Sequence, residues 1–284
     1  MWKQKISISL GNRYTEKTEN LIPVVKRAGF DGVSPEWAKD ADLGAIVDAA
    51  EREGLALVSL HAPFGGAADL WSEDETVSRP VMDELFLSLE DAHKYHFPVL
   101  VLHIWIGFGE EPQPTKAGLD NLSLLVERAK QYGIRIAFEN TEGDNHLAAV
   151  MTHFEGDSTV GYCFDSGHEM CYNHSRDLLS LYGDRLLVTH LNDNLGISRF
   201  SGEIFWTDDL HLLPFDGIAD WDDTVKRLRA SRPLEYLNFE LSTVSKPNRH
   251  ENDLYGKLSP EEYFALAYTR ACRVAWKYAT SPLH

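Results

Sequence analysis

Cysteine is scarce in this 284-residue chain, positive charge is outnumbered, and long apolar runs are missing. The three cysteines, Cys163, Cys171 and Cys272, contain no Cys-x-x-Cys pair and cannot all pair with one another. Their simplest setting is reduced and cytoplasmic. No stretch of 18 apolar residues occurs, which argues against a membrane-spanning helix. The opening MWKQKISISL lacks the charged start, apolar middle and small-residue cleavage site of a secretory signal. No low-complexity segment, long charge run or Pro/Gly/Ser linker marks a domain boundary. Lysine and arginine number 27 against 44 acidic residues, a net charge of −17. Such a surface repels nucleic acid and anionic membrane at long range. Bound cations would offset part of it, although an acidic surface is also ordinary for a soluble protein.

What is present is a substantial apolar fraction, 43%, arranged as an alternation. Short β-rich runs are followed by stretches of helical spacing. The strand candidates are KISISL (5–10), FDGVSPEW (30–37), LALVSLH (55–61), PVLVLHIW (98–105), IRIAFEN (134–140), VGYCFD (160–165), LLVTHLND (186–193) and EYLNFEL (235–241). Helical spacing covers 14–28, 40–53, 77–95, 116–132, 221–230 and 260–277, among others. Ser259, Pro260 and Glu262 form a helix-start signature before the last of these. Several strands are continuous apolar runs, as parallel strands covered on both faces should be. Eight such strands predict an α/β fold, a (β/α)8 TIM barrel with residues 1–284 as a single domain. A doubly wound open sheet is the alternative, but LGNRYTEK is a poor match to its Gly-rich first turn. Long loops at about 62–76, 191–220 and 242–259 would lie on the C-terminal face, where barrel active sites are built.

The strand ends carry the chemistry. They place His61, His103, Glu139, Asp165 and His168, His190, and Glu240 at consecutive C-terminal ends, with Asp209 and His211 in the loop after the seventh strand. A lone histidine there is more often a hydrogen-bonded structural residue. A carboxylate in a barrel mouth is harder to dismiss, because it is costly unless paired or bound to a cation. Nine such residues at equivalent ends predict a metal site. Carboxylate and imidazole without thiolate suit Zn²⁺ or Mn²⁺, with Co²⁺, Fe²⁺ or Mg²⁺ as alternatives. Nine ligands exceed what one ion takes. Either two or three ions bind, or one ion takes four or five groups and the rest hold substrate. Cys163, on the same side of its strand as Asp165 but deeper, reads as packing.

HAPFGG, FEN, CFDSGH, HLND and FELS, in this order along nearly the whole chain, resemble the xylose isomerase-like barrel superfamily. That superfamily includes sugar-phosphate isomerases and epimerases, ketose 3-epimerases and the endonuclease IV repair enzymes. The resemblance to the epimerases implies one ion on Glu139, Asp165, His190 and Glu240. The resemblance to the endonuclease IV branch adds His61, His103, His168, Asp209 and His211 for three zinc ions. The chain departs from that branch in its acidic loop APFGGAADLWSEDE. It departs from the 3-epimerases in HLNDNLGIS, which has no arginine until Arg199.

The expected function is a divalent-metal-dependent sugar or sugar-phosphate isomerase or epimerase, working by proton transfer through a metal-stabilised enediolate. Glu139 and Glu240 would be the catalytic pair, one removing a proton and the other returning it. His168, Trp71 and Trp206 would bind substrate, while Trp37 and Trp105 read more simply as core. Lys246, Arg249 and His250 would meet a phosphate or form a solvated loop. The alternatives are an endonuclease IV-like multinuclear zinc phosphoesterase and a non-catalytic sugar-binding barrel. The expected partner is a small sugar or sugar phosphate, with nucleic acid and membrane disfavoured and a homodimer left open.

Overall fold

A computed structural model describes residues 4–281. The outermost three residues at each end of the expected 1–284 domain, and the first three of the N-terminal reading, lie outside the described residues.

The strands are β1 (Lys5–Leu10), β2 (Gly32–Pro35), β3 (Ala56–Leu57), β4 (Leu60–His61), β5 (Val99–Leu102), β6 (Arg135–Glu139), β7 (Val160–Asp165), β8 (Leu186–His190) and β9 (Tyr236–Phe239). All pair in parallel, in two arcs ordered β3-β2-β1-β9 and β4-β5-β6-β7-β8. The arcs meet at both seams. Trp37 N–H donates to the His61 carbonyl (2.8 Å) at one, and Leu191 N–H to the Asn238 carbonyl (2.9 Å) at the other. The result is the TIM barrel expected from the alternation.

One strand differs from expectation. The run 55–61 is not continuous but breaks at Val58–Ser59. Its first half pairs with β2 and its second with β5. Strand stagger in a tilted barrel offsets the two neighbours, so each half is completed on a different side.

The helices are α1 (Thr18–Ala28), α2 (Leu43–Glu53), α3 (Glu75–Lys94), α4 (Lys116–Tyr132), α5 (Asp144–His153), α6 (Ser166–Cys171), α7 (Leu179–Tyr182), α8 (Trp221–Ala230) and α9 (Pro260–Thr280). Those over 116–132 and 221–230 match the spacing. The first starts at Thr18 rather than 14, because the loop before it turns into the barrel mouth. Ser259 Oγ accepts from Glu262 N–H while Glu262 accepts from Ser259 N–H, completing the box that starts α9. Among the described residues no helix is long and apolar enough to cross a membrane.

Strand pleating separates two apolar regions. Leu100, Leu102, Ile136, Phe138, Tyr162 and Phe164 point outward into the layer between strands and helices. Val99, Val101, Ala137, Cys163, Leu187 and Val188 form a small separate cluster inside the barrel. Cys163 packs there, on the same side as Asp165, as the alternation requires. The other half of the interior is polar and self-satisfied. Asn238 joins Ser7 (2.8 Å) and Ser9 (2.9 Å), and Ser59 joins Ser34 (2.9 Å).

Candidate metal centre

The next inward position after each interior residue falls at the C-terminal rim. Two residues beyond Ser34 is Glu36, beyond Ser59 is His61, and beyond Val101 is His103. The same step gives Glu139 from Ala137, Asp165 from Cys163, His190 from Val188 and Glu240 from Asn238. Six of these strand ends, those of His61, His103, Glu139, Asp165, His190 and Glu240, bring a carboxylate or imidazole into one cluster, because side-chain direction repeats every two residues, while Glu36 turns to Arg13. At the eighth position stands Gly11. A Cβ there would lie 2.2 Å from Glu36 Cδ, so only glycine leaves room for that side chain.

Glu139 is the hub. Its Oε2 lies 3.1 Å from His190 Nδ1 and 3.4 Å from both His61 Nε2 and His103 Nε2. Its Oε1 lies 3.2 Å from His168 Nδ1. On the far side of His190, Glu240 Oε2 lies 3.5 Å from the same Nδ1. Asp209 Oδ2 is 2.9 Å from His211 Nε2, and Asp209 Oδ1 is 3.5 Å from His168 Nε2. The donors fall into three ligand-sized groups: Glu139, Asp165, His190 and Glu240; His61, His103 and Glu139; and His168, Asp209 and His211. A fourth grouping puts Cys163 beside Glu139 and His190. All nine residues expected as ligands are therefore brought together.

Two of the histidines are anchored through Nδ1. His61 Nδ1–H donates to the Ala62 carbonyl (2.7 Å) and His211 Nδ1–H to the Glu240 carbonyl (3.2 Å), which turns each Nε2 inward. Asp165 is fixed from three directions. His168 N–H caps onto its Oδ1 (2.7 Å), Asn192 Nδ2 reaches Oδ2 (3.0 Å), and its own N–H donates to Asn140 Oδ1 (2.8 Å). This gives physical content to the short motifs. The Asn of FEN and the Asn of HLND both serve the Asp of CFDSGH. The Gly of CFDSGH is needed because a Cβ on Gly167 would lie 2.0 Å from Asn192 Oδ1.

Burial would raise every one of these carboxyls, and the surroundings oppose it. His190, His103 and His168 hold Glu139 well below the usual range. Arg13, His190 and His211 bring Glu240 down to about 2. Asp165 stays raised, because burial dominates there. Burial pulls His103 down to about 4 and keeps it neutral near pH 7. Both oxygens of Glu139 and Glu240, His61 Nε2, His190 Nδ1 and Asp209 Oδ1 are buried without a hydrogen-bond partner. Convergent, ionised lone pairs without donors are what a divalent cation satisfies, so the residues fit one.

Above the cluster opens a cavity of about 510 Å³ that reaches His103, His168, Asp209 and His211. Trp206 and Lys246 line it. Trp71 does not. It is 4% exposed, donates to the Ile104 carbonyl (2.6 Å) and stands edge-on to His146. Trp105 stacks on the other face of the same imidazole, and Trp37 donates to Asp91 (2.8 Å). Arg249 turns away to buried Asp208 (2.6 Å) and exposed His250 to Asp253 (2.9 Å). Three residues escaped the sequence reading: Arg13, Glu36 and Glu142. Glu36 was visible as the polar end of FDGVSPEW. Glu142 lies three residues beyond Glu139. Arg13 had only its place after the first strand as a signal.

Residues 22–256 match the family model for the xylose isomerase-like TIM barrel. The chain belongs to this family. A curated relative, the uncharacterized protein y4fM of Sinorhizobium fredii, is 32% identical over 272 residues, 80% of this chain and 82% of that protein. Two solved xylose isomerase-like barrels share the fold at low identity. The IolI protein, solved with a bound zinc atom, superposes with a TM-score of 0.77 at 18% identity, over 98% of this chain and 100% of that one. An L-ribulose 3-epimerase superposes with a TM-score of 0.70 at 16% identity, over 98% and 95%.

Proposed function

We propose that this xylose isomerase-like barrel, residues 1–284 acting as one domain, is a metal-dependent sugar isomerase or epimerase of the cytoplasm. One observation carries the reading. Two ionised carboxylates, Glu139 and Glu240, flank His190 Nδ1 at 3.1 and 3.5 Å, and neither has a hydrogen-bond donor of its own. Glu139, Asp165, His190 and Glu240 would hold the ion, and their donors suit zinc or manganese. A cation bound there supplies Lewis acidity toward a substrate carbonyl and its neighbouring hydroxyl.

The remaining work falls to side chains. A proton on the carbon beside a carbonyl must be taken from one face and, for epimerisation, returned to the other. Glu240 is poised as the acceptor, because Arg13 lies against Oε2 and leaves Oε1 open. Glu139 stands opposite and would return the proton after taking one from His168, which its carboxylate neighbours keep protonated and whose Nδ1 lies 3.2 Å from Oε1. His168 and Trp206 contact substrate, with His168 donating to an oxygen. The likeness to an L-ribulose 3-epimerase and to zinc-bearing IolI supports this assignment. The three cysteines, free of disulfides, support a reducing compartment.

The three neighbouring donor groups, two of which share Glu139, favour a second reading, a multinuclear zinc phosphoesterase. The experiment that separates the two is deuterium exchange. Ketoses and their phosphates are incubated in D2O with the protein and Mn²⁺ or Co²⁺, and proton NMR follows the hydrogen beside the carbonyl. Exchange that disappears in Glu240→Gln, with the fold intact by circular dichroism, is expected. Exchange that persists in Glu240→Gln sinks the assignment.

A further inference from the structure

Three features of the cavity wall bear on what enters it, and they agree. The first is that its cations are already committed. Arg13 is clamped between Glu36 and Glu240. Lys246 Nζ lies 3.3 Å from Asp209 Oδ2, and beside the cavity Arg249 is taken by Asp208. The Lys246 pair is compatible with an ion on the four inner ligands, because Asp209 is not one of them. The second is Glu142. Among the described residues its side chain, which lines the cavity, bonds its own backbone N–H and no other group, and burial pushes the carboxyl up to about 7. A carboxyl in that position bonds a hydroxyl, and once ionised above neutrality it adds negative charge to the wall. The third is an aromatic mouth. Phe64, Phe108, Tyr172 and Trp206 line it, with Phe108 36% and Trp206 40% exposed. Phe108 lies 5.9 Å from the Tyr172 ring and 5.7 Å from Phe205, giving a continuous apolar surface at the entrance.

We propose that the cavity takes an uncharged glycoside that carries a ketone on its sugar ring, with that ketone over the ligand cluster and the aglycone against Phe108 and Trp206. The proposal rests on the isomerase or epimerase reading and narrows its substrate class. Phosphorylated sugars are excluded because, among the described residues, the arginines and the lysine at the cavity are already paired. A cavity of about 510 Å³ is larger than one hexose requires and lies in the range that buries a two-ring ligand. Apolar ring faces on the aglycone gain from leaving water, and the aromatic wall offers the matching geometry.

The test is a set of binding titrations on the full chain with its metal, followed by tryptophan fluorescence and confirmed by calorimetry. The probes are hexoses and pentoses that carry a ring ketone, their phenyl glycosides, and their terminal phosphates. At least one phenyl glycoside is expected to bind about tenfold more tightly than its parent sugar, with its phosphate no tighter than the parent. Phe108→Ala and Trp206→Ala should each erase most of that preference. Failure of every aryl glycoside to outbind its parent overturns the proposal. So does a sugar phosphate that binds more tightly than its parent and is weakened in Lys246→Ala. Either failure leaves the isomerase reading to stand or fall on the Glu240→Gln exchange experiment.

Discussion

The Arg13 guanidinium lies 3.4 Å from Glu240 Oε2 and is held there by Glu36, so a fixed cation abuts the proposed proton acceptor. Arg13 is half-buried, with its side chain 15% exposed. The pair explains how a fully buried carboxyl stays ionised. Burial is the largest influence on Glu240 and would raise it; Arg13 is the largest of those that lower it.

Arg13→Met is therefore expected to shift acid unfolding to higher pH. Glu240 has its folded value depressed from 4.5 to about 2. The stability it contributes is present above 4.5 and lost as pH falls toward 2. Without Arg13, burial moves the folded value upward, the contribution above 4.5 shrinks, and the protein enters the acid range with less stability to lose. Breaking this buried arrangement costs about 3–5 kcal/mol near neutrality. Acid titrations and urea melts of Arg13→Met against Arg13→Lys check both effects, with lysine expected to restore part of each.

Gly167→Ala tests the brace behind Asp165. The new Cβ would meet Asn192 Oδ1 at 2.0 Å, so the Asn192 amide must leave Asp165. Outer partners of a ligand typically contribute a factor of about 10–100 in metal affinity. Chelator competition with zinc should show a loss of that size in Gly167→Ala. An unchanged affinity would mean that the Asn140 and His168 bonds suffice to hold Asp165.

The ring of ligands was legible in the sequence because pleating is periodic. Once Ala137, Cys163 and Val188 face inward, Glu139, Asp165 and His190 must as well. Nothing comparable announces Arg13 or Glu142, which reach the cavity from loops whose backbone has no repeating direction. Trp71 misled for a related reason. Its loop folds into a short 3-10 turn, Ala67–Trp71, and drives the indole down onto Gly118 and His146 instead of into the mouth. The break at Val58–Ser59 was hidden because LALVSLH has an unbroken β-type composition, and only pairing with two staggered neighbours divides it.

Glu142→Gln is expected to stabilise the protein above neutrality and to matter little at pH 4. Burial raises the folded value of Glu142 from 4.5 to about 7. A group raised in this way contributes stability that is complete below 4.5 and lost as pH rises through 7. Glutamine has no charge to bury, so the variant skips that loss. Thermal melts at pH 5 and pH 8 should give a difference between variant and parent that grows with pH. A constant difference would place the carboxyl in water.

Charge around the cluster separates one bound ion from three. Glu36, Glu139, Asp165, Asp209 and Glu240 face two fixed cations, Arg13 and Lys246, a surplus of three negative charges. One divalent ion leaves the site one charge negative, suited to a neutral ligand. Three ions make it positive by three, suited to a phosphodiester. The isomerase reading thus predicts one tightly held ion per chain by elemental analysis after dialysis, and a melting temperature that rises with added metal. Glu139→Gln, which removes the ligand shared by two of the three groups, should lose that ion. His211→Ala should keep it, because His211 lies outside the inner four. Three equivalents of zinc after dialysis, with His211→Ala losing one of them, would instead transfer the argument to phosphoester hydrolysis.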